Sequence, residues 1–350
     1  MRSSDPKEPT MADVARLANV GTMTVSRVLN NSAHVNPETA KRVYWAMEAL
    51  QYRPNEAART LRGHKSRSIG VLVPSLADPF FAICAHSINL VAQAHGYSMI
   101  LTTSHGDPEV EYAQAQWMLQ RHVEGLILVP TQAQNSRLQD RHFDRIPIVA
   151  FDTPVDIKRI DSVLVENQDG AFRATQHLIG HGHTRIQFLG NDEKLYTIQA
   201  RMEGYRRAMD AAELPTLAKL DCASQEVVTQ ELRAAREQGK LPTAFFCANN
   251  WITKFLIRSL FELDIRVPDQ AAIIGFDEVE MADLLQPTLT VVRQPIVDIG
   301  TFSANRLFHS LKLGHQERPE VGTRKVLPVE LILRASCGCK KAVSPLPSSI

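Results

Sequence analysis

The chain has 350 residues, of which 44% are hydrophobic and 22% charged, and its formal net charge is +1. These values are ordinary for a globular protein, and the length predicts two or three domains. No apolar run is long enough to span a bilayer and no charged-then-apolar leader is present, which favours the cytoplasm and excludes a membrane protein.

The charge is unevenly distributed along the chain. Residues 1–67 carry eleven Lys and Arg against six Asp and Glu, a net +5, which leaves −4 for the remainder. A basic head on a mildly acidic body predicts that the head meets a polyanion. The five cysteines, an odd number, are expected to be reduced thiols and not a disulfide framework.

The head, residues 1–53, contains three predicted helices. Thr10 with Asp13 three residues later is a capping-box pattern that begins the first, the second covers 22–30, and Asn36 followed by Pro37 begins the third. Two short helices around a tight turn, braced by a third, indicate a helix-turn-helix unit. The positions expected to be buried are Val14, Leu17, Ala18, Val25, Val28, Leu29, Val43, Ala46, Met47 and Leu50.

The second helix leaves polar side chains on the face opposite its apolar stripe. Arg27 can fork onto a guanine edge, and Met23 suits a thymine methyl group. Hydroxyl and amide groups on the same face can bond phosphates or bases. The alternative is a small amphipathic helix whose outer face is merely solvated. The candidate DNA contacts in the head are Thr10, Thr22, Met23, Thr24, Ser26, Arg27 and Asn30.

A basic linker follows over residues 54–67. Pro54 ends the preceding helix and Asn55 can cap a new one of about two turns, which is marginal unless something supports it. Arg59 can meet a phosphate, and Leu61 can act as a wedge in the minor groove. The interpretations are a hinge helix that folds on DNA and a flexible basic linker.

The body, residues 68–336, alternates apolar strands with amphipathic helices, which predicts two α/β lobes with doubly wound parallel sheets. Strands are predicted at 68–74, 98–104, 125–130, 146–152, 162–167, 184–190, 243–249 and 271–277, and helices near 79–95, 108–122, 168–181, 197–213, 225–239 and 250–264.

Ligands in open α/β sheets bind beyond the carboxyl ends of strands, so polar residues just past strand ends are candidates for a cleft between the lobes. Carboxylates and amides pair with vicinal hydroxyls, an aromatic ring can cover a sugar face, and Arg can clamp a hydroxyl pair or a carboxylate. The alternative for each residue is an N-cap or loop polar group, and it is favoured for Asp78 and Asp152 taken alone. The candidates are Asp78, Phe80, Asp152, Arg201, Asn250 and Asp277.

Several spaced motifs, "DVARLANV", "TVSRVLN", "PETAKRV", "IGVLVP" and "AIIGFDEVE", resemble the LacI/GalR (lactose-repressor) family of regulators from Thr10 to about Ser336. The resemblance implies a helix-turn-helix domain, a hinge helix over 54–67 and a two-lobed effector domain resembling periplasmic binding proteins. It also implies that Thr22, Met23 and Arg27 read bases, that Leu61 intercalates, and that Arg201 and Asp277 hold the effector.

Two positions depart from the family pattern. Gly21 stands where Ser is usual, so a capping hydroxyl is absent at a cost of a few tenths of a kcal/mol. Asn250 stands where Asp is usual, which removes a negative charge expected near Arg201. The hypothesis drawn from this change is an acidic effector, such as a sugar acid or a phosphorylated sugar.

Other signals carry little weight. "GHGHTR" precedes a strand where a dinucleotide loop follows one. His177, His181 and His183 fit a helix C-terminus, and Cys337 and Cys339 have no second cysteine pair to complete a zinc site, so no metal and no cofactor is expected. No nucleophile–base set appears, which counts against an enzyme.

The sequence is therefore interpreted as a ligand-responsive transcriptional repressor of sugar or sugar-acid metabolism genes that binds a palindromic operator as a homodimer. The alternatives are a sugar-binding protein of the periplasmic type and a doubly wound enzyme. The predicted first lobe covers about 68–165 plus 294–323, the second about 166–293 plus 324–336, and a flexible tail covers 337–350.

Overall fold

The structure, a computed structural model, describes residues 9–29, 35–53, 65–134, 136–313, 317 and 319–339. The chain forms two compact units, Met1–Ser66 and Arg67–Ile350. Within the described ranges, none of the helices combines the length and the hydropathy needed to cross a bilayer.

The first unit contains helices α1 (Met11–Leu17), α2 (Thr22–Leu29) and α3 (Pro37–Ala49). The predicted capping box is confirmed, since the Thr10 hydroxyl accepts from the Asp13 amide at 3.3 Å and the Asp13 carboxylate accepts from the Thr10 amide at 3.0 Å. Asn36 caps α3 by accepting from the Glu38 amide at 2.9 Å.

A small apolar core joins these three helices, with Val14, Val25, Val28 and Val43 among its buried members. The expected burial of Leu17 is wrong, because its side chain is 42% exposed. In a helix of only seven residues, the inward face is already filled by Val14, Ala15 and Ala18.

The second unit consists of two lobes, each built on a six-stranded sheet. The strands are β1 (Ser68–Val73), β2 (Ser98–Thr103), β3 (Gly125–Leu128), β4 (Ile148–Phe151), β5 (Asp161–Val165), β6 (Ile186–Leu189), β7 (Leu217–Lys219), β8 (Ala244–Cys247), β9 (Ala272–Phe276), β10 (Thr290–Arg293), β11 (Arg324–Leu327) and β12 (Glu330–Ile332). The helices are α4 (Pro79–Ala94), α5 (Pro108–Gln120), α6 (Asn167–Gly180), α7 (Tyr196–Ala211), α8 (Gln225–Glu237), α9 (Asn250–Glu262) and α10 (Ile296–Lys312), with 3₁₀ helices at Arg137–Gln139, Arg141–Arg145 and Ala335–Cys337.

The two sheets repeat one topology. The first has the order β11-β5-β4-β3-β1-β2 and the second β12-β10-β9-β8-β6-β7. All pairs are parallel except β10 with β12. Strands such as β3 and β8 are buried at every position, as parallel strands covered on both faces must be. The expectation of doubly wound parallel sheets is confirmed.

The final segments differ from the predicted lobe boundaries. Strand β11, assigned from the sequence to the second lobe, pairs with β5 of the first sheet, with Arg324 opposite Ser162. The predicted tail is also ordered at its start, because Cys337 is fully buried at the end of a 3₁₀ helix. Backbone and side-chain bonds of Ser336 to Thr288, Thr290 and Ile273 hold this segment in place.

Candidate functional site

The outer face of α2 is available for an interaction. Met23 is 68% exposed and Thr22 and Arg27 are exposed, while Thr24 and Ser26 are half-buried beside the core. Gly21 directly precedes the first residue of the helix, Thr22, and its carbonyl accepts from the Thr24 amide at 2.9 Å.

Apart from its chain neighbours, none of the described residues places a heavy atom within 4 Å of the position where a Gly21 side chain would begin. The departure from Ser at this position therefore does not reflect crowding. Thr10 lies at the start of α1 with its hydroxyl 2.6 Å from the Asp13 carboxylate. Four predicted DNA contacts, Asn30, Asn55, Arg59 and Leu61, lie outside the described residues.

A cavity of about 570 Å³ opens between the two lobes of the second unit. Every lining segment follows the carboxyl end of a strand, in agreement with the rule for open α/β sheets. Its volume lies within the usual range for small-molecule sites. Five of the six candidates line it: Asp78, Phe80, Asp152, Arg201 and Asp277.

Arg201 is the buried cation of this cleft. Its Nε donates to Asn167 Oδ1 at 2.8 Å, and its Nη1 donates to the Ala248 carbonyl at 2.6 Å and approaches Asp277 Oδ2 at 3.4 Å. The guanidinium carbon lies 3.7 Å from the centre of the Phe276 ring. No acceptor among the described residues engages Nη2, so that nitrogen is left for a ligand in the cavity.

Two carboxylates occupy equivalent places in the two lobes. Asp152 follows β4 and Asp277 follows β9, and both have a positive φ, 64° and 74°. Burial raises the pKa of Asp152 to about 7, with Arg201 opposing the shift and Asp277 adding to it. Burial also raises the pKa of Asp277, and Arg201 again opposes the shift. Gln294 donates to Asp277 Oδ1. Residues with positive φ and perturbed pKa values cluster at functional sites.

Asn250 is placed differently from the expectation. It is 3% exposed and its Nδ2 donates to Asp78 Oδ1 at 3.0 Å, which joins the second lobe to the first. Asp78 also caps α4 by accepting from the Phe80 amide at 3.0 Å. An aspartate at position 250 would therefore place its negative charge beside Asp78.

The cavity wall contains residues that sequence reasoning missed. Gln294 follows β10, a strand that was not predicted, and Trp251 lies one position beyond the predicted Asn250. Gln294 Oε1 and Thr131 Oγ1 are buried without a partner in the described part of the chain. Six further polar residues of the wall that were not predicted lie within four positions after the end of a strand. They are Ser75, His105, Thr131, Thr153, Asn191 and Asp192.

A second cluster lies apart from the cleft. The side chains of His177, His181, Cys337 and Cys339 bring one ligand atom each to within 4.8 Å of one another. From the sequence, a zinc site was not expected because Cys337 and Cys339 have no second cysteine pair. The structure supplies two histidines about 160 residues earlier in the chain instead.

A helix-turn-helix unit together with a two-lobed domain that holds a polar cleft defines a DNA-binding regulator with an effector domain. Family models agree with both parts, since residues 10–55 match "Bacterial regulatory proteins, lacI family" and residues 175–337 match "Periplasmic binding protein-like domain".

Similar proteins cover almost the whole chain. HTH-type transcriptional repressor PurR of Aliivibrio salmonicida (strain LFI1238) is 31% identical over 329 residues, which are 90% of this chain and 98% of the relative. Catabolite control protein A of Priestia megaterium is 31% identical over 302 residues, 85% of this chain and 91% of the relative. The crystal structure of the Lac repressor dimer bound to operator and the anti-inducer ONPF superposes with a TM-score of 0.83 at 26% identity, covering 95% of this chain and 99% of that chain.

The chain belongs to the lacI family of bacterial regulatory proteins. The interpretation as a DNA-binding transcriptional repressor with an effector-binding domain is confirmed. The alternative of a periplasmic-type binding protein that lacks a DNA-binding unit is set aside, because the head matches the regulatory family.

Proposed function

We propose that this regulator binds an inverted-repeat operator as a homodimer and that an uncharged, hydroxyl-bearing small molecule in the cleft sets its affinity for that operator. The observation that carries the proposal is the cleft itself. The half-buried carboxyl groups of Asp78 and Asp152 in the first lobe, the buried Asp277 of the second lobe and the Arg201 guanidinium line one cavity of about 570 Å³.

The DNA contacts of the proposal lie on α2. Arg27 is exposed and can donate two hydrogen bonds to a guanine edge, while Met23 offers an apolar contact to a thymine methyl. A single helix-turn-helix reads few base pairs, so a twofold dimer on a palindromic site is the arrangement that supplies specificity. The Lac repressor dimer bound to operator supports this choice. Asn55, Arg59 and Leu61 are proposed as further contacts in the linker.

The base-reading role of Arg27 is testable with purified protein. Arg27→Ala should weaken binding to the preferred duplex by about 1–3 kcal/mol and relax base choice at one position in each half-site. Arg16→Ala, which removes an exposed arginine of α1 paired with Asp13, is the matched control and should leave base preference unchanged. An Arg27→Ala protein that discriminates among duplex variants as the parent does would contradict the assignment.

The chemistry of the cleft favours an uncharged ligand. Its lining carries four carboxylates, Asp78, Asp152, Asp192 and Asp277, against the single guanidinium of Arg201. An anion would either be repelled by the ionised carboxylates or require them to take up protons, and both cost binding free energy. Hydroxyl groups instead donate to the carboxylates and accept from Arg201, and Phe80, Phe81 and Trp251 offer apolar surface for a sugar ring.

A thermal-shift screen of neutral sugars and sugar acids, followed by calorimetry, tests the ligand class. The ionised fraction of a group with a pKa of about 7 rises about tenfold between pH 6 and pH 8. A neutral ligand whose hydroxyl donates to Asp152 should therefore bind up to about tenfold more tightly at pH 8, and Asp152→Asn should abolish the difference. Binding of sugar acids alone, stronger at pH 6, would overturn the proposal in favour of an acidic effector.

The remaining parts of the proposal concern mechanism and location. The ligand alters operator affinity by binding one cleft state more tightly than the other, with a coupling free energy of about 1–3 kcal/mol.

We assign no catalytic role to the cleft, because the proteins similar to this chain along its length are repressors. We place the protein in the cytoplasm because its proposed partner is operator DNA. Operator binding measured with and without the ligand decides whether that ligand releases or recruits the protein.

A further inference from the structure

The His177, His181, Cys337 and Cys339 cluster has the donors of a metal site. His177 lies on α6, and His181 is the residue at which that helix ends. Their spacing of four residues places both rings on one face of the helix. The two cysteines arrive from the C-terminal segment, at and just after the 3₁₀ helix Ala335–Cys337.

Three of the six distances among the four ligand atoms agree with tetrahedral coordination, and all six lie within 4.8 Å. His177 Nε2 is 3.3 Å from Cys337 Sγ and 3.4 Å from Cys339 Sγ, and His181 Nε2 is 3.3 Å from Cys339 Sγ. A zinc ion bound at the usual Zn–N and Zn–S lengths of about 2.0 and 2.3 Å separates nitrogen and sulfur ligands by about 3.5 Å.

A single two-centre hydrogen bond accounts for only one of the two sulfur contacts of His177. The Nε2 atom of an imidazole has either one lone pair or one hydrogen, yet that of His177 lies within bonding distance of two sulfur atoms. A metal ion at the centre takes one lone pair from each of the four side chains. Two thiolates also neutralise the charge of a divalent cation.

The backbone brings the two sulfur atoms together independently of any ion. Gly338 has φ 94°, a left-handed conformation that strains other residues, and it lets both flanking cysteines face the histidines. Cys337 is fully buried, and its Sγ accepts a hydrogen bond from the Thr290 hydroxyl at 3.1 Å. The same Sγ lies 3.3 Å from the Arg334 carbonyl oxygen, to which the protonated thiol donates, and a bound metal ion would replace that proton.

We propose that His177, His181, Cys337 and Cys339 form a structural Zn²⁺ site that fastens the C-terminal segment to helix α6 of the second lobe. All four positions of the tetrahedron are protein ligands, so the ion has no open position for catalysis. The site ties together parts of the lobe that are about 160 residues apart, and it is independent of the ligand proposed for the cleft.

Metal analysis of the full chain, expressed without a polyhistidine tag in zinc-supplemented medium and purified with a phosphine reductant, tests the proposal. The parent should retain one zinc per chain after gel filtration. His181→Gln and Cys339→Ser remove the two more accessible ligands and should each lose most of the zinc. His183→Gln removes a neighbouring histidine that bonds Thr243 instead, and it should retain the full equivalent. Circular dichroism checks that the variants are folded.

Cobalt substitution supplies a second readout. The Co²⁺ protein should show a thiolate-to-metal charge-transfer band and visible bands of tetrahedral cobalt, which weaken in Cys339→Ser and persist in His183→Gln. A metal-free parent, or zinc retained in full by His181→Gln and Cys339→Ser, overturns the proposal. A mass two hydrogens below the reduced value in the parent purified anaerobically without any reductant, indicating a Cys337–Cys339 disulfide, also overturns it.

Discussion

Replacing Asp152 by Asn should stabilise the protein, and the gain should grow with pH. In the unfolded chain this carboxyl ionises near its ordinary pKa of 3.8, whereas burial raises the pKa in the folded protein to about 7. The folded state therefore binds the proton more tightly, and stability falls as the pH rises between these two values.

The magnitude follows from the two pKa values. Each tenfold difference in proton affinity is worth about 1.4 kcal/mol, so the ionised Asp152 costs about 4 kcal/mol of folding free energy above pH 7 and less than about 2 kcal/mol at pH 5. Asn is neutral at both pH values and tolerates the positive φ of 64°. The variant should thus gain about 4 kcal/mol at pH 8.

Urea unfolding of the parent and of Asp152→Asn at about pH 5 and about pH 8 measures the effect. Glu193→Gln, which alters an exposed carboxylate, is the control and should show no such gain. A difference between Asp152→Asn and the parent that is the same at both pH values, or a variant less stable than the parent at pH 8, would refute the reasoning. A cleft carboxylate kept at this cost is expected to serve ligand binding, so the variant should also bind the effector less tightly.

Three further predictions concern stability. Asn250→Asp places a second carboxylate beside Asp78 and should lower the free energy of unfolding by up to about 4 kcal/mol at pH 8. The loss should be smaller at pH 5, and equal urea midpoints for the variant and the parent would contradict this prediction. Gly204→Ala puts a methyl carbon 2.1 Å from a backbone oxygen of α6 and should cost about 3 kcal/mol in thermal unfolding, whereas Gly180→Ala, in open space, should change little. Tyr205→Phe removes a buried hydroxyl bonded to strands β6 and β7 and should cost about 1–3 kcal/mol; an unchanged unfolding midpoint would argue against it.

The strand–helix alternation of the lobes could be predicted because buried parallel strands are continuous apolar runs. "GLILVP" and "AAIIGFD" lead to the observed strands β3 and β9 within a few residues. Strands β10 and β11 were not predicted, for two different reasons. In "TLTVVRQ" the only adjacent apolar residues are Val291 and Val292, a run too short to indicate a strand, and Arg324–Lys325 of β11 are exposed at a sheet edge. No local pattern states which sheet an edge strand joins.

Five of the six candidates line the cleft, because polar residues just past a strand end can be identified from the sequence alone. The contacts that each of these residues makes in the folded protein could not be predicted. The partner of Asn250 is Asp78, 172 positions away, and only the folded chain shows that the amide bridges two lobes. The cluster of His177, His181, Cys337 and Cys339 was missed for a similar reason, because a sequence pattern reveals metal ligands only when they lie close together in the chain.

Selection of duplexes from a random pool by the purified protein, in the presence and absence of the ligand found by thermal shift, tests the central claim most directly. We expect an inverted repeat to be enriched, with a ligand-dependent change in its affinity that requires a higher ligand concentration in Asp152→Asn. Enrichment of no twofold-symmetric sequence, or an operator affinity indifferent to a ligand that demonstrably occupies the cleft, would contradict the account.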